Sequence, residues 1–164
     1  MTLTIVVAAK VLVLSFVANS APIFGARLLG SRWSTPIDGG RLFRDGRAVL
    51  GESKTIRGVI LSLTSCMVVA ELLDLTWLFG LVFGAASMAG DALSSFIKRR
   101  LNIPPSGRFI GLDQLPEILL PLLVCAQWLA LDLISIILLA AIFCIASLGL
   151  SELAFKLGLK KRPY

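Results

Sequence analysis

The stretch Gly90-Asp91-Ala92-Leu93-Ser94-Ser95-Phe96-Ile97-Lys98-Arg99-Arg100 decides how this chain is read. Its helical period stacks Asp91, Ser94 or Ser95, and Lys98 on one face. At 1.5 Å per residue the carboxylate then lies roughly 10 Å inside the basic end of the helix. The residues around it are apolar. An aspartate inside a membrane helix is costly without a partner, and is by default a candidate functional group.

Composition supports the membrane setting. The chain of 164 residues is 57% hydrophobic and 16% charged, an apolar excess over soluble domains. A net charge of +6 would suggest nucleic acid in a soluble protein. Here the cations cluster in short segments between apolar runs, which excludes that reading and points to membrane orientation. Cys66, Cys125 and Cys144 lie in apolar runs without CxxC spacing, so they read as structural thiols. There is no histidine, which excludes histidine bases and histidine-ligated metals.

Five segments suit an all-α membrane protein with five transmembrane helices, some at marginal length: about 3–21, 58–75, 77–97, 114–131 and 133–155. Short turns around Asp74 and Asp132 make the second and third segments antiparallel, and likewise the fourth and fifth. Arg27, Arg32, Arg41, Arg44, Arg47, Lys54 and Arg57 mark one loop. Lys98, Arg99, Arg100 and Arg108 mark another, and Lys156, Lys160, Lys161 and Arg162 the tail. All three fall on one side, which should be cytoplasmic. The N-terminus is then outside and the C-terminus inside. Ala18-Asn19-Ser20-Ala21 faintly resembles a signal-peptide cleavage site, but no cation precedes Lys10 and four further spans follow. One domain, 1–164, is expected, with cytoplasmic loops at about 24–57 and 98–112.

Two constellations could carry chemistry. Gly51-Glu52-Ser53-Lys54-Thr55 resembles the end of a phosphate-binding loop, although the upstream glycine and strand of a Walker fold are missing. Glycine permits close approach, lysine supplies charge, and a helix start favours anions. The same residues would also serve as a cationic anchor at the membrane edge. The second constellation pairs Asp91 with Asp113. Both approach the cytoplasmic interface, and two carboxylates beside a phosphate are a usual arrangement for Mg²⁺. Asp113 alone would equally suit a helix cap. Lys98, Arg99 and Arg100 would suit snorkelling. Asn19, just ahead of Pro22, would bond a broken helix end or reach a ligand.

Together, Gly90-Asp91, Ser95, Lys98-Arg99-Arg100 and Asp113-Gln114, with Gly51, Lys54-Thr55 and Arg57-Gly58 upstream, resemble the CTP-dependent phosphatidate cytidylyltransferase superfamily. The similarity is greatest to its short five-helix CDP-archaeol synthase branch, over nearly the whole chain. Ser95, Lys98 and Arg99 match the Ser-x-x-Lys-Arg part of the superfamily signature, and Asp113 its first metal aspartate. The His-Gly-Gly turn is absent and Pro116 stands in the second aspartate's place, leaving Glu117 or a water as the substitute ligand.

The resemblance implies an Mg²⁺-dependent enzyme whose partners are CTP and an isoprenoid glycerol phosphate lipid. CMP passes from CTP to the lipid phosphate, giving CDP-archaeol and pyrophosphate. It further implies Asp91, Asp113 and Lys98 as catalytic residues, the two aspartates holding the metal. Asn19, Gly51, Lys54, Thr55, Ser95 and Gln114 would contact substrate, with the lipid tails entering sideways between helices. A small membrane transporter is the alternative, but neither internal symmetry nor paired broken helices are visible. A structural subunit would need no Asp–Ser–Lys face.

Overall fold

The computed structural model describes residues 4–104, 107, 109 and 111–156, the last four as helix backbone alone. Expectations resting on Arg108, on Lys160, Lys161 and Arg162, and on the side chain of Lys156 lie outside the described side chains. Five helices follow in order: α1 Ile5–Leu29, α2 Ile56–Leu72, α3 Trp77–Arg100, α4 Leu115–Cys125 and α5 Leu133–Lys156. Thr4, Thr55 and Thr76 open the first three, each accepting a backbone N–H through its hydroxyl, as N-caps do. Asp74, Asn102 and Ala130 take left-handed backbone angles just after α2, α3 and α4. Each is followed by an N–H returning into the helix: Leu75 to Ala70 (2.8 Å), Ile103 to Lys98 (2.9 Å) and Leu131 to Ala126 (2.9 Å). These are Schellman-type closures.

Helices α1, α3 and α5 are long and apolar enough to cross a membrane. The other two segments differ from expectation. α2 has 17 residues and α4 has 11, about 25 and 16 Å of helix, both under the roughly 30 Å of a bilayer core. The fourth segment was expected to run to 131, but the chain leaves the helix after Cys125 and closes through turns. The first was expected to end at 21, yet α1 continues through Pro22 to Leu29. Pro22 has no N–H for the Ala18 carbonyl. The Ser62 hydroxyl of α2 donates to that carbonyl instead, at 2.9 Å, so the proline is absorbed without breaking the helix.

α3 lies at the centre, packed on α1, α2 and α4. Small residues let it approach closely. A side chain at Gly80 would sit 2.3 Å from the Cys66 carbonyl oxygen, and one at Gly90 would sit 2.1 Å from that of Pro116. Such backbone proximity is how membrane helices gain packing energy without a hydrophobic drive. The core joins Val11, Leu14 and Ala18 of α1 to Cys66, Phe83, Ile118, Leu122, Leu139 and Phe143. Outward, Ile5, Val6, Leu28, Leu72, Leu133, Ile134 and Ile145 are exposed, an apolar exterior that water would not tolerate but lipid accepts.

Both loops that carry cations gather at one end. The loop 30–55 is tied by Asp38, whose carboxylate accepts the N–H groups of Gly40 (3.0 Å), Leu50 (2.8 Å) and Gly51 (3.0 Å). Burial alone would raise the Asp38 pKa, but these backbone bonds outweigh it and hold the carboxyl below its ordinary 3.8. Arg100 fastens this loop to α3. It lies against the rings of Phe43 and Phe96 (4.6 and 4.9 Å) and pairs with Asp45 at 2.9 Å. Arg47 returns the contact by donating to the Arg100 carbonyl at 2.6 Å. Arg100 is therefore a docking residue and does not snorkel.

Two outcomes follow from this packing. Gly90→Ala must push α4 off α3, an overpacking that costs on the order of 1–3 kcal/mol and lowers the melting temperature in detergent. An unchanged melting temperature would contradict the observed approach. Because the folded Asp38 pKa is depressed, its contribution is complete above the ordinary carboxylate pKa and is lost as pH falls through the lower folded value. Protease cleavage within 38–51 should then stay constant from pH 8 to 5 and rise below about pH 4; Asp38→Ala should show the raised cleavage at pH 7.

Candidate active site

One cleft of about 860 Å³ opens at the cationic end of the helices. Asp91, Ser95, Lys98 and Arg99 reach it from α3, Lys54 and Thr55 from the start of α2, Asn19 from α1, and Asp113, Gln114 and Glu117 from the entry to α4. The two aspartates singled out in the sequence share this cavity. Of the two candidate serines, Ser95 faces it, while Ser94 turns its hydroxyl back to the Asp91 carbonyl at 2.9 Å.

The ion pairs cross between elements. Lys54 pairs with Asp91, joining the foot of α2 to the middle of α3. Lys98 pairs with Asp113 at 2.6 Å, joining α3 to the approach of α4. Lys98 thus shares a face with Asp91 but neutralises the other carboxylate. Asp113 Oδ1 is buried, and among the described residues the Lys98 ammonium is its polar contact. Asp113 Oδ2 accepts the Phe109 N–H at 3.0 Å. Asp113 therefore caps its own turn and leaves α4 without a side-chain cap.

Smaller groups complete the wall. Asn19 Nδ2 is buried without a hydrogen-bond partner among the described residues, and it is Ser62, not Asn19, that bonds the carbonyl freed by Pro22. Asn19 keeps its donor for the cleft. Thr55 Oγ1 accepts the Gly58 N–H at 3.1 Å, and its own O–H remains able to donate. Gln114 Oε1 accepts the Gly111 N–H at 2.9 Å, leaving its amide nitrogen as the donor. Gly51 departs from expectation: it does not line the cleft, and its N–H is committed to Asp38. Its positive φ of 95° serves the loop turn, a conformation that favours glycine.

Glu117 was the residue hardest to place from sequence. Gly90 admits the Pro116–Glu117 backbone against α3, which sets the Glu117 carboxyl beside Asp91 and within the field of Lys54 and Asp113. The available signal was an acidic residue directly after Pro116 at the start of an apolar helix.

Among the described residues, no three carboxylate or thiol groups converge tightly enough to chelate a metal by themselves. Asp91 and Asp113 nevertheless suit Mg²⁺ in donor type. This ion takes hard oxygen ligands, one or two from protein carboxylates and the rest from water and phosphate. The buried Asp113 Oδ1, paired with the Lys98 ammonium, is an oxygen of that kind.

Three helices sized for a membrane, beside a cleft with paired cations and carboxylates, define the class as an integral membrane protein with a polar cleft among its helices. Comparison with known proteins agrees. The family model described as CarS-like, CDP-archaeol synthase, matches residues 2–79 and 72–164. A CDP-archaeol synthase of Pyrobaculum arsenaticum is 34% identical over 91% of this chain and 92% of its own. One from Pyrococcus furiosus is 31% identical over 92% of each. A solved structure, described as an intramembrane enzyme for archaeal membrane lipids biosynthesis, superposes with a TM-score of 0.70 at 25% identity, covering 84% of this chain and 90% of that one. The chain belongs to the CDP-archaeol synthase family.

If Lys54 and Asp91 neutralise each other in the cleft, Lys54→Met leaves a carboxylate uncompensated in an apolar surround. The cost of breaking such a pair is about 3–5 kcal/mol when fully buried and less here, where each side chain is 20% exposed. The double variant Lys54→Met with Asp91→Leu should recover part of the lost melting temperature; additive losses would show that the pair is not coupled.

Proposed function

We propose that the chain transfers CMP from CTP to the phosphate of 2,3-bis-O-geranylgeranylglycerol 1-phosphate, giving CDP-archaeol and pyrophosphate. The observation that carries this reading is the meeting of two lysine–aspartate pairs in one cleft of a chain in the CDP-archaeol synthase family. A phosphate oxygen of the lipid attacks the α-phosphorus of CTP, the new P–O bond forms, and the α–β anhydride breaks to release pyrophosphate. The phosphate monoester is already nucleophilic. The barrier is then one of bringing two anions together, and positioning and charge neutralisation lower it.

Each wall residue has a role in that task. Asp91 and Asp113 would hold Mg²⁺, which when bound neutralises phosphate charge and stabilises the departing pyrophosphate. Lys54 and Lys98 sit beside those carboxylates and offer ammonium groups to phosphate oxygens. The Asn19 amide, the Thr55 and Ser95 hydroxyls and the Gln114 amide supply directional hydrogen bonds that orient the substrates. Phe16, Ile23 and Phe24 of α1, with Phe143, Leu148 and Leu150 of α5, form the apolar part of the same cleft. Isoprenoid tails belong there, between α1 and α5, with the head group toward the lysines. By the positive-inside rule the cation-bearing loops at that end support a cytoplasmic cleft, where CTP is supplied.

The test is transfer of label from CTP into lipid in detergent with Mg²⁺. Label should enter the lipid fraction when the lipid phosphate is added, and Asp91→Asn should reduce the rate by at least about 10³-fold while the protein stays monodisperse. Near wild-type turnover in that variant would remove Asp91 from the mechanism. Label transfer that does not depend on the lipid phosphate would overturn the assignment.

A further inference from the structure

Arg99 stands between Lys98 and Arg100 but behaves like neither. Its side chain is buried, with the residue 6% exposed, and it forms part of the cleft wall. Nη2 donates to the Pro104 carbonyl at 3.1 Å. Nε and Nη1 are both buried with no hydrogen-bond partner among the described residues. The charge of Asp113 acts on Arg99, yet Asp113 is paired with Lys98. A guanidinium cannot relieve its burial by losing a proton, so this one is a fixed charge with unused donors on two nitrogens.

The other buried or clamped arginines are more fully bonded, each leaving Nε alone without a hydrogen-bond partner among the described residues. Arg57 donates to the Gly30 and Arg32 carbonyls, and Arg100 is held by Asp45, Phe43 and Phe96. The two cleft lysines already face carboxylates. An anion approaching either must share it with an aspartate. Among the described residues Arg99 forms no ion pair of its own, the nearby Asp113 being held by Lys98.

We infer that Arg99 is a separate anion subsite of the cleft, which takes a phosphate group of one substrate through Nε and Nη1. The ligand is a phosphate, either in the nucleotide's anhydride chain or as the lipid's monoester. The inference rests on the proposed CMP transfer for its substrates. It adds a residue whose planar donors fix the direction of a phosphate, where lysines act as point charges.

The experiment measures CTP affinity by equilibrium binding, and the KM for lipid phosphate at saturating CTP, in wild type, Arg99→Lys and Arg99→Met. The expected result is selective: Arg99→Met weakens one substrate at least tenfold and leaves the other within twofold, and Arg99→Lys recovers part of the loss. Loosened CTP assigns the subsite to the nucleotide; a raised lipid KM assigns it to the acceptor. Both values within twofold of wild type, or both weakened equally, overturn the subsite. Should Arg99→Met not remain monodisperse, Arg99→Lys decides, since it keeps the charge but loses the guanidinium's donors: a threefold loss for one substrate supports the inference and no change refutes it. Inorganic pyrophosphate is the arm independent of turnover. It should raise the melting temperature of wild type more than that of Arg99→Lys even if CMP transfer itself were not observed; an equal shift overturns the inference.

Discussion

Charge inside an apolar layer of helices must be neutralised where it sits, and that requirement organises the rest of this molecule. Asp91 lies well inside α3, where an unpaired carboxylate is untenable. Its partner, Lys54, comes from the end of the loop ahead of α2, so that loop has to be held in register with the middle of α3. The clamp of Arg100 by Phe43, Phe96 and Asp45, and the three backbone bonds accepted by Asp38, provide that register. The second pair imposes the same condition on the other side. Lys98 reaches Asp113 because α4 begins against α3, and α4 begins there because Gly90 has no side chain to displace the Pro116 carbonyl.

The arrangement explains how one cleft among apolar helices combines so many opposed charges. Asp91 and Asp113 are each paired with a lysine, so under the proposed function a divalent cation and a phosphate would find complementary partners side by side. The two lysine–aspartate pairs offset each other's charge, while Arg27 and Arg99 leave the cleft wall with an excess of cations. Among the described residues, Asn19 Nδ2 and Arg99 Nε and Nη1 are donors of its wall left without a hydrogen-bond partner, and a bound ligand would offset their burial.

Much of this was legible in the chain, for identifiable reasons. Apolar runs bounded by cations marked the helices, and the helical period put Asp91, Ser95 and Lys98 on the face that lines the cleft. What local pattern could not show was pairing across elements. Lys98 shares a face with Asp91, yet the fold joins it to Asp113, because Lys54 arrives first from a segment 37 residues earlier. Gly51 looked like a phosphate loop glycine, but its N–H serves Asp38, a contact across 13 positions. Helix ends were equally dependent on tertiary context. Pro22 looked like a stop until Ser62 took the freed carbonyl, and the fourth apolar run was longer than the helix it forms, because the chain leaves the helix after Cys125 and runs through turns that end at the left-handed Ala130.

The central claim is that Asp91 and Asp113 act together as one cation site that serves the nucleotide. Linkage tests it most directly: CTP affinity measured in detergent with and without Mg²⁺, without lipid, in wild type and in Asp113→Asn. The account predicts that Mg²⁺ tightens CTP at least tenfold in wild type (about 1.4 kcal/mol) and that most of this tightening disappears in the variant. Equal tightening in both proteins would contradict it.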